Sequence, residues 1–155
     1  MHLKLVSVGK VKDDGLRAIV EDYFKRLRRH HEVAWIEVKK EGGSRSAEEI
    51  TSREGQRILK LVASTAHLIL LDEGGQLVDS RRFAGRLQTW MDSGIREAVF
   101  VIGGPYGHGR EIRTRADWTW SLSPLTYTHQ LVPAILAEQL YRADTILRGE
   151  PYHND

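Results

Sequence analysis

AVFVIGGPYGHG (residues 98–109) sets an unbroken apolar run against a loop with glycine at 103, 104, 107 and 109. A strand buried on both faces reads as such a run, and flanking glycines favour strand over helix. The glycines permit close backbone approach and positive φ. WSLSPLTYTH (residues 120–129) repeats the arrangement, with a short run ending in a hydroxyl-rich loop stiffened by Pro124. His67–Leu71 is a third apolar strand, closing on Asp72-Glu73-Gly74-Gly75.

Outward from these runs, strands and helices alternate. His2–Val8 reads as a strand, Gly9–Asp14 as a turn-rich connection and Gly15–Arg29 as a helix. Val33–Val38 is a second strand, followed by a polar loop over Lys39–Arg45. Ser46 and Glu49 match a capping box for a helix over Ala47–Ala63. Ser80 is placed to cap a helix reaching Ser93, with Gly94 as its stop. After Gly109 come a short polar helix or turn, a strand near Asp117–Leu122 and a helix near Leu131–Arg148, with Pro133 in its first turn. Apolar strands separated by helices predict an α/β fold, a parallel sheet flanked by helices on both faces. No repeat, low-complexity tract or linker interrupts the chain, so residues 1–155 read as one domain.

Composition narrows the function. The 155 residues suffice for one core. The absence of cysteine excludes disulfides, thiolate metal sites and a cysteine nucleophile. No run is long and apolar enough for a membrane span, and MHLKLVSVGK lacks the features of a signal peptide, so a cytoplasmic location is expected. Net charge is only +2, with a pI of about 9.0. The cations cluster instead: Lys25, Arg26, Arg28 and Arg29 with His30 and His31; Arg81, Arg82 and Arg86; Arg110, Arg113 and Arg115. Each cluster reads either as a solvated helix face or as a phosphate contact.

In open α/β sheets, ligands bind beyond the carboxyl ends of the strands. Three loops belong there: Asp72–Gly75, Gly103–Gly109 and Leu122–His129. Their glycines follow neither the dinucleotide nor the P-loop spacing. Gly103-Gly104 is either a tight structural turn or a ligand loop. Ser121, Ser123, Thr126 and Thr128 offer hydroxyls, while Leu122 and Leu125 are apolar where a plain surface loop is polar. The pattern suits an adenine cradle or, equally, a corner plugged by two leucines.

His129, Arg142, Tyr152 and His153 are the reactive groups nearby in sequence. Histidine accepts or relays a proton near neutrality, and arginine holds a phosphate or a developing anion. Glu138 lies four residues before Arg142, so a plain helix-surface ion pair is the competing reading. Tyr152-His153 reads equally as an ordinary chain end. Ser123 with His129 lacks the G-x-S-x-G elbow and a third partner, which disfavours a hydrolase. No histidine or acid cluster has metal-ligand spacing, so no metal is expected. Trp118 and Trp120 share one strand face and read as core.

Taken in order, Leu71-Asp72-Glu73-Gly74, Phe100–Gly104 with Gly107, Trp120–Ser123 with Thr126 and His129, Glu138–Ala143 and Pro151-Tyr152-His153 resemble the RlmH family over essentially the full length. That resemblance implies a SPOUT-class methyltransferase that transfers a methyl group from S-adenosylmethionine to N3 of a pseudouridine in the helix-69 loop of 23S ribosomal RNA. It further implies a C-terminal trefoil knot and a cytoplasmic homodimer. A chain this small, with no dedicated RNA-binding domain visible, is expected to recognise an assembled ribosomal surface, with the basic clusters at the rim. The implied cofactor contacts are Leu71, Gly103, Gly104 and Leu122, Ser123, Pro124, Leu125, Thr126 and Tyr127. The implied substrate-side groups are His129, Arg142, Tyr152 and His153. The chain departs from the family in one place: Pro133 stands where a basic residue usually follows the loop histidine, which puts one RNA contact in doubt. His108 and Gly109 read as tolerated variation. A non-catalytic RNA- or ribosome-binding module on the same fold is the alternative.

Overall fold

The computed structural model describes residues 1–154. Among them, five strands are formed: β1 (His2–Val8), β2 (Glu32–Val38), β3 (His67–Leu77), β4 (Glu97–Ile102) and β5 (Trp118–Ser121). All pair in parallel, in the order β2-β1-β4-β3-β5. The helices are α1 (Asp14–Leu27), α2 (Ala47–Leu59), α3 (Ser80–Asp92), α4 (Arg110–Arg115) and α5 (Val132–Arg148).

Side-chain alternation sorts the two faces of the sheet. Leu3, Leu5, Ile69, Leu71, Phe100 and Ile102 pack beneath α1, α3 and α5. Val6, Val8, Leu68, Leu70, Val99 and Val101 pack on the other face, with Ile58 of α2 and Ile112 of α4. Both faces are covered, as the apolar strands require. Trp118 and Trp120 are core residues: Phe83 stacks on Trp120 with ring centroids 4.2 Å apart, and the two indoles stack at 5.3 Å. Burying each such side chain stabilises the fold by about 1.5–3 kcal/mol.

Three local expectations are corrected. The capping box of Ser46 and Glu49 forms, but α2 stops at Leu59 rather than Ala63. There the N–H groups of Leu61 and Val62 bond to the carbonyls of Ile58 and Leu59, a tighter pattern that ends the helix. The cap of α3 is Asp79, not Ser80: the Asp79 carboxylate accepts from the Arg82 N–H at 2.8 Å. A carboxylate there also complements the helix dipole. The Ser80 hydroxyl instead donates to Gln139 at 3.1 Å.

The third correction shapes the site. β3 does not end at Leu71. Trp120 pairs with Leu71 and again with Gln76, so Asp72–Gly75 bulges out before pairing resumes. A Cβ at Gly75 would lie 2.7 Å from the Trp120 carbonyl carbon, so only glycine lets the chain return this close to β5.

The sheet order also fixes the path of the chain after β5. That strand is at one edge, yet α5 packs against α1 and α3. Residues 122–131 therefore cross the carboxyl ends of β3 and β4 towards β1. Gln130 ends the crossing: its carboxamide accepts from the Lys12 N–H at 2.8 Å and donates to the Lys10 carbonyl at 3.0 Å.

The basic clusters are partly spent on the fold. Arg26 pairs with Asp22, Arg28 with Glu21, and buried His31 with Asp144. Arg113 pairs with Asp72 and Arg115 with Asp117. Arg86 lies over the Trp118 ring at 4.6 Å. Among the described residues, no helix is long and apolar enough to cross a membrane.

Two glycines on either side of α3's start respond oppositely to alanine. Gly75→Ala costs about 1–3 kcal/mol, as overpacking does. Gly85→Ala, with nothing within 4 Å of the added carbon in a helix interior, gains about 0.5–1 kcal/mol. Urea denaturation of the two variants checks both signs.

Candidate functional site

Glycine builds the first wall of the site. Gly107 has φ +75°, and its N–H bonds to the Gly104 carbonyl at 2.9 Å, closing the loop after β4 on itself. A Cβ on Gly103 would meet the Gly107 carbonyl oxygen at 2.8 Å. On Gly109 it would meet the Thr51 carbonyl oxygen at 2.8 Å, so the loop lies tightly on α2.

A cavity of about 580 Å³ opens at the carboxyl ends of β3 and β4. That size suits a small ligand. Its floor is Leu71 and Ile102, and the glycine loop from Gly103 to His108 forms one side. The crossing segment forms the other, through Leu122, Ser123, Leu125, Thr126, Tyr127, Thr128 and His129. Of the cofactor-contact residues expected from sequence, Pro124 alone does not line it. Tyr106 and Leu125 are 59% and 69% exposed, leaving apolar surface at the mouth.

The polar rim was not legible as a unit in the sequence. Glu73 accepts from the Thr126 hydroxyl at 2.6 Å, tying the β3 bulge to the crossing segment. Asp72 accepts from the Gly74 N–H at 2.9 Å and from Arg113 at 2.7 Å. Burial pushes the Asp72 carboxyl up, but those two donors outweigh it and hold it below the usual carboxylate range. Arg113 also donates to the His108 carbonyl at 3.0 Å. His108, read from sequence as mere variation, is buried, and its Nε2–H donates to the Leu71 carbonyl at 2.8 Å. Burial pushes its pKa down, so the ring is neutral at pH 7. Beneath the loop, the Glu54 carboxyl is 2% exposed, accepts from the Glu41 N–H at 2.9 Å, and is pushed up by burial.

Of the four substrate-side candidates, only His129 lines this cavity. Arg142, Tyr152 and His153 gather elsewhere, on the outer side of α5 against α1. Gly149, with φ +64°, caps α5 and turns the chain back. Tyr152 then meets the Tyr141 ring edge-on at 4.9 Å, and its hydroxyl donates to Glu138 at 3.0 Å and lies 3.0 Å from the Tyr23 hydroxyl. Burial and these two partners push the Tyr152 phenol well above the usual tyrosine range. The Glu138–Arg142 pair forms, at 2.5 Å. Arg142 serves more than that pair, because its Nη1 donates to His153 Nδ1 at 3.1 Å and its guanidinium lies 4.8 Å from the Tyr152 ring centroid. Among the described residues, no cluster of histidines and acids is arranged to hold a metal ion.

Comparisons with known proteins agree with one another. A family model described as "Predicted SPOUT methyltransferase" matches residues 1–153. A protein of Geobacter metallireducens named ribosomal RNA large subunit methyltransferase H is 45% identical over 154 residues, covering 99% of each chain. Proteins of the same name from Geotalea daltonii and Flavobacterium johnsoniae are 44% and 41% identical, each over 99% of this chain and 100% and 99% of their own.

His108 gives a measurable signature. Its folded pKa lies below the ordinary 6.5, so the stability it contributes is full above pH 6.5 and is lost as pH falls from there through the folded value. His67, pushed down by burial as well, acts in the same window. Stability therefore falls below pH 6.5 in the native chain, and His108→Gln reduces that slope without abolishing it, as thermal unfolding between pH 7.5 and 5 will show.

Proposed function

The chain belongs to the SPOUT methyltransferase family and groups with the ribosomal RNA large subunit methyltransferase H proteins, and from that membership we propose that it methylates N3 of a pseudouridine in the helix-69 loop of 23S rRNA, with S-adenosylmethionine as donor. The observation that carries the reading is the cavity formed where the glycine loop, the β3 bulge and the crossing segment meet.

The residues present fit such a donor. Leu122 and Leu125 provide apolar contact for a purine, and Ser123, Thr126 and the loop backbone provide polar partners. Gly103 and Gly104 put main chain, not side chain, against the cavity. The Glu73 carboxylate favours a ligand that carries positive charge, while Asp72 is balanced by Arg113. Leu71, Gly103, Gly104 and Leu122–Tyr127 would hold it, with Pro124 stiffening the segment from outside the cavity. When bound, the donor supplies an electrophilic methyl group on a sulfonium. The protein then has to align the acceptor, exclude water and remove one proton.

The acceptor N3–H must lose that proton. Arginine has no acceptor atom, so His153 Nδ1 accepts from Arg142 and a neutral His153 ring carries its proton on Nε2. With the Arg142 contact made, that ring has no free lone pair. His129, on the cavity wall, is the general base. Arg142 offsets charge developing on the imide, and Tyr152 offers an aromatic face to the base. These two groups do not line the cavity with His129, so they serve a homodimer in which the C-terminal arm of one subunit completes the other's site. A looped RNA presents a splayed base at low unstacking cost. The enzyme is a single cytoplasmic domain whose C-terminal portion is threaded as a trefoil knot. Its substrate is the assembled large subunit or whole ribosome.

His129→Ala slows single-turnover methylation of ribosomes about 100-fold, the lower range for loss of a general base. Mass spectrometry of rRNA from cells lacking the protein shows the unmodified pseudouridine, and adding the purified enzyme restores the methyl group. Calorimetry that finds no binding of S-adenosylmethionine overturns the reading and favours a non-catalytic ribosome-binding module.

A further inference from the structure

The connection between β1 and α1 is held more firmly than a turn requires. Val11 is buried, 3% exposed, and plugs the loop into the protein. Its N–H donates to Glu37 Oε1 at 2.7 Å, and its carbonyl accepts from Arg17 at 3.0 Å. Arg17 and Glu37 close the ring with bonds of 2.7 and 2.8 Å. On either side of Val11, the Gln130 carboxamide clamps the Lys10 carbonyl and the Lys12 N–H. The side chains of Arg17, Glu37 and Gln130 thus fix the backbone of three residues, while Lys10 and Lys12 are exposed and form no ion pair among the described residues. The acids that follow face the helix: Asp13 caps α1 through the Leu16 N–H, and Asp14 lies in its first turn.

The position of the loop is as specific as its rigidity. Gln130 directly follows His129, which lines the cavity. Val8, two residues before Lys10, approaches within 3.2 Å of where a Gly104 Cβ would stand. The backbone that carries the two lysines therefore runs beside both the glycine loop and the segment bearing the proposed general base.

We propose that Lys10 and Lys12 are a phosphate-binding pair for the RNA backbone flanking the target nucleotide, with Gln130 as the positioning residue that ties them to His129; this rests on the rRNA methyltransferase reading above. Lysine suits the task because an ammonium on a flexible stem meets a phosphate diester without demanding one geometry. A fixed backbone beneath it sets where the strand passes. The pair supplies free surface charge where the fold spends Arg26, Arg113 and Arg115 on internal pairs.

The test uses the full chain. Lys10→Ala/Lys12→Ala raises KM for large ribosomal subunits about 10-fold while kcat and S-adenosylmethionine affinity hold. The slope of log affinity against log salt for a protein-free 23S rRNA transcript becomes shallower by roughly 1.4, about 0.7 per lost phosphate contact. Lys10→Arg/Lys12→Arg keeps the native slope. Gln130→Ala, with both lysines intact, raises KM and leaves the slope unchanged. A native slope in the double alanine variant overturns the proposal, and a changed KM beside it assigns the lysines to a ribosomal protein instead. Should the native enzyme transfer no methyl group, the function proposed above fails, and the salt slopes still decide the role of the lysines.

Discussion

The fold and the cavity both depend on a crossing. β5 pairs at one edge of the sheet, and α5 must cover apolar surface between α1 and α3. The ten residues from Leu122 to Leu131 have to span the carboxyl ends of β3 and β4 to get there. Three strand spacings of about 4.8 Å separate β5 from β1, so ten residues have length to spare and take it up in turns. Gln130 pins the far end to the β1–α1 connection, and the side chains between become a wall. The glycine loop after β4 answers by keeping its own bulk small. The cavity is the space left between a segment that must cross and a loop that stays low.

Much of this was legible. Fully apolar runs at His67–Leu71 and Ala98–Ile102 announced parallel strands, because only burial on both faces tolerates such a pattern. The capping box at Ser46 is local chemistry and read true. Fold logic alone placed the three loops together at the strand ends, with a tight turn at Gly103-Gly104 as the competing reading, and residues of all three line one cavity. Where reading failed, the cause was tertiary. Nothing in Asp72-Glu73-Gly74-Gly75 reveals that the strand resumes, since Gly75's reason for being glycine is the backbone of Trp120, far along the chain. Asp79 and Ser80 are both good caps, and packing of Ser80 on Gln139 decided between them.

The electrostatic misreadings share that origin. Arg113 and Arg115 look like a basic patch in the sequence but neutralise Asp72 and Asp117, acids distant from them or two residues away. His108 looked dispensable because its partner is a main-chain carbonyl, which has no sequence signature. Conversely, nothing in the sequence of the Gly9–Asp14 connection sets Lys10 and Lys12 apart from ordinary lysines in a turn. Their backbone setting, not their identity, distinguishes them.

Gly149 has a mechanical corollary. Its left-handed backbone ends α5 and makes it a pivot from which the arm folds back over Tyr141. Four residues separate this pivot from His153, so the imidazole's backbone travels on a leash of about 13–14 Å at full extension. Any active centre the arm serves must fall inside that radius, in whichever copy of the chain the centre resides. The helix end therefore acts as a ruler, and lengthening or shortening the arm by one residue changes its reach by about 3.3 Å.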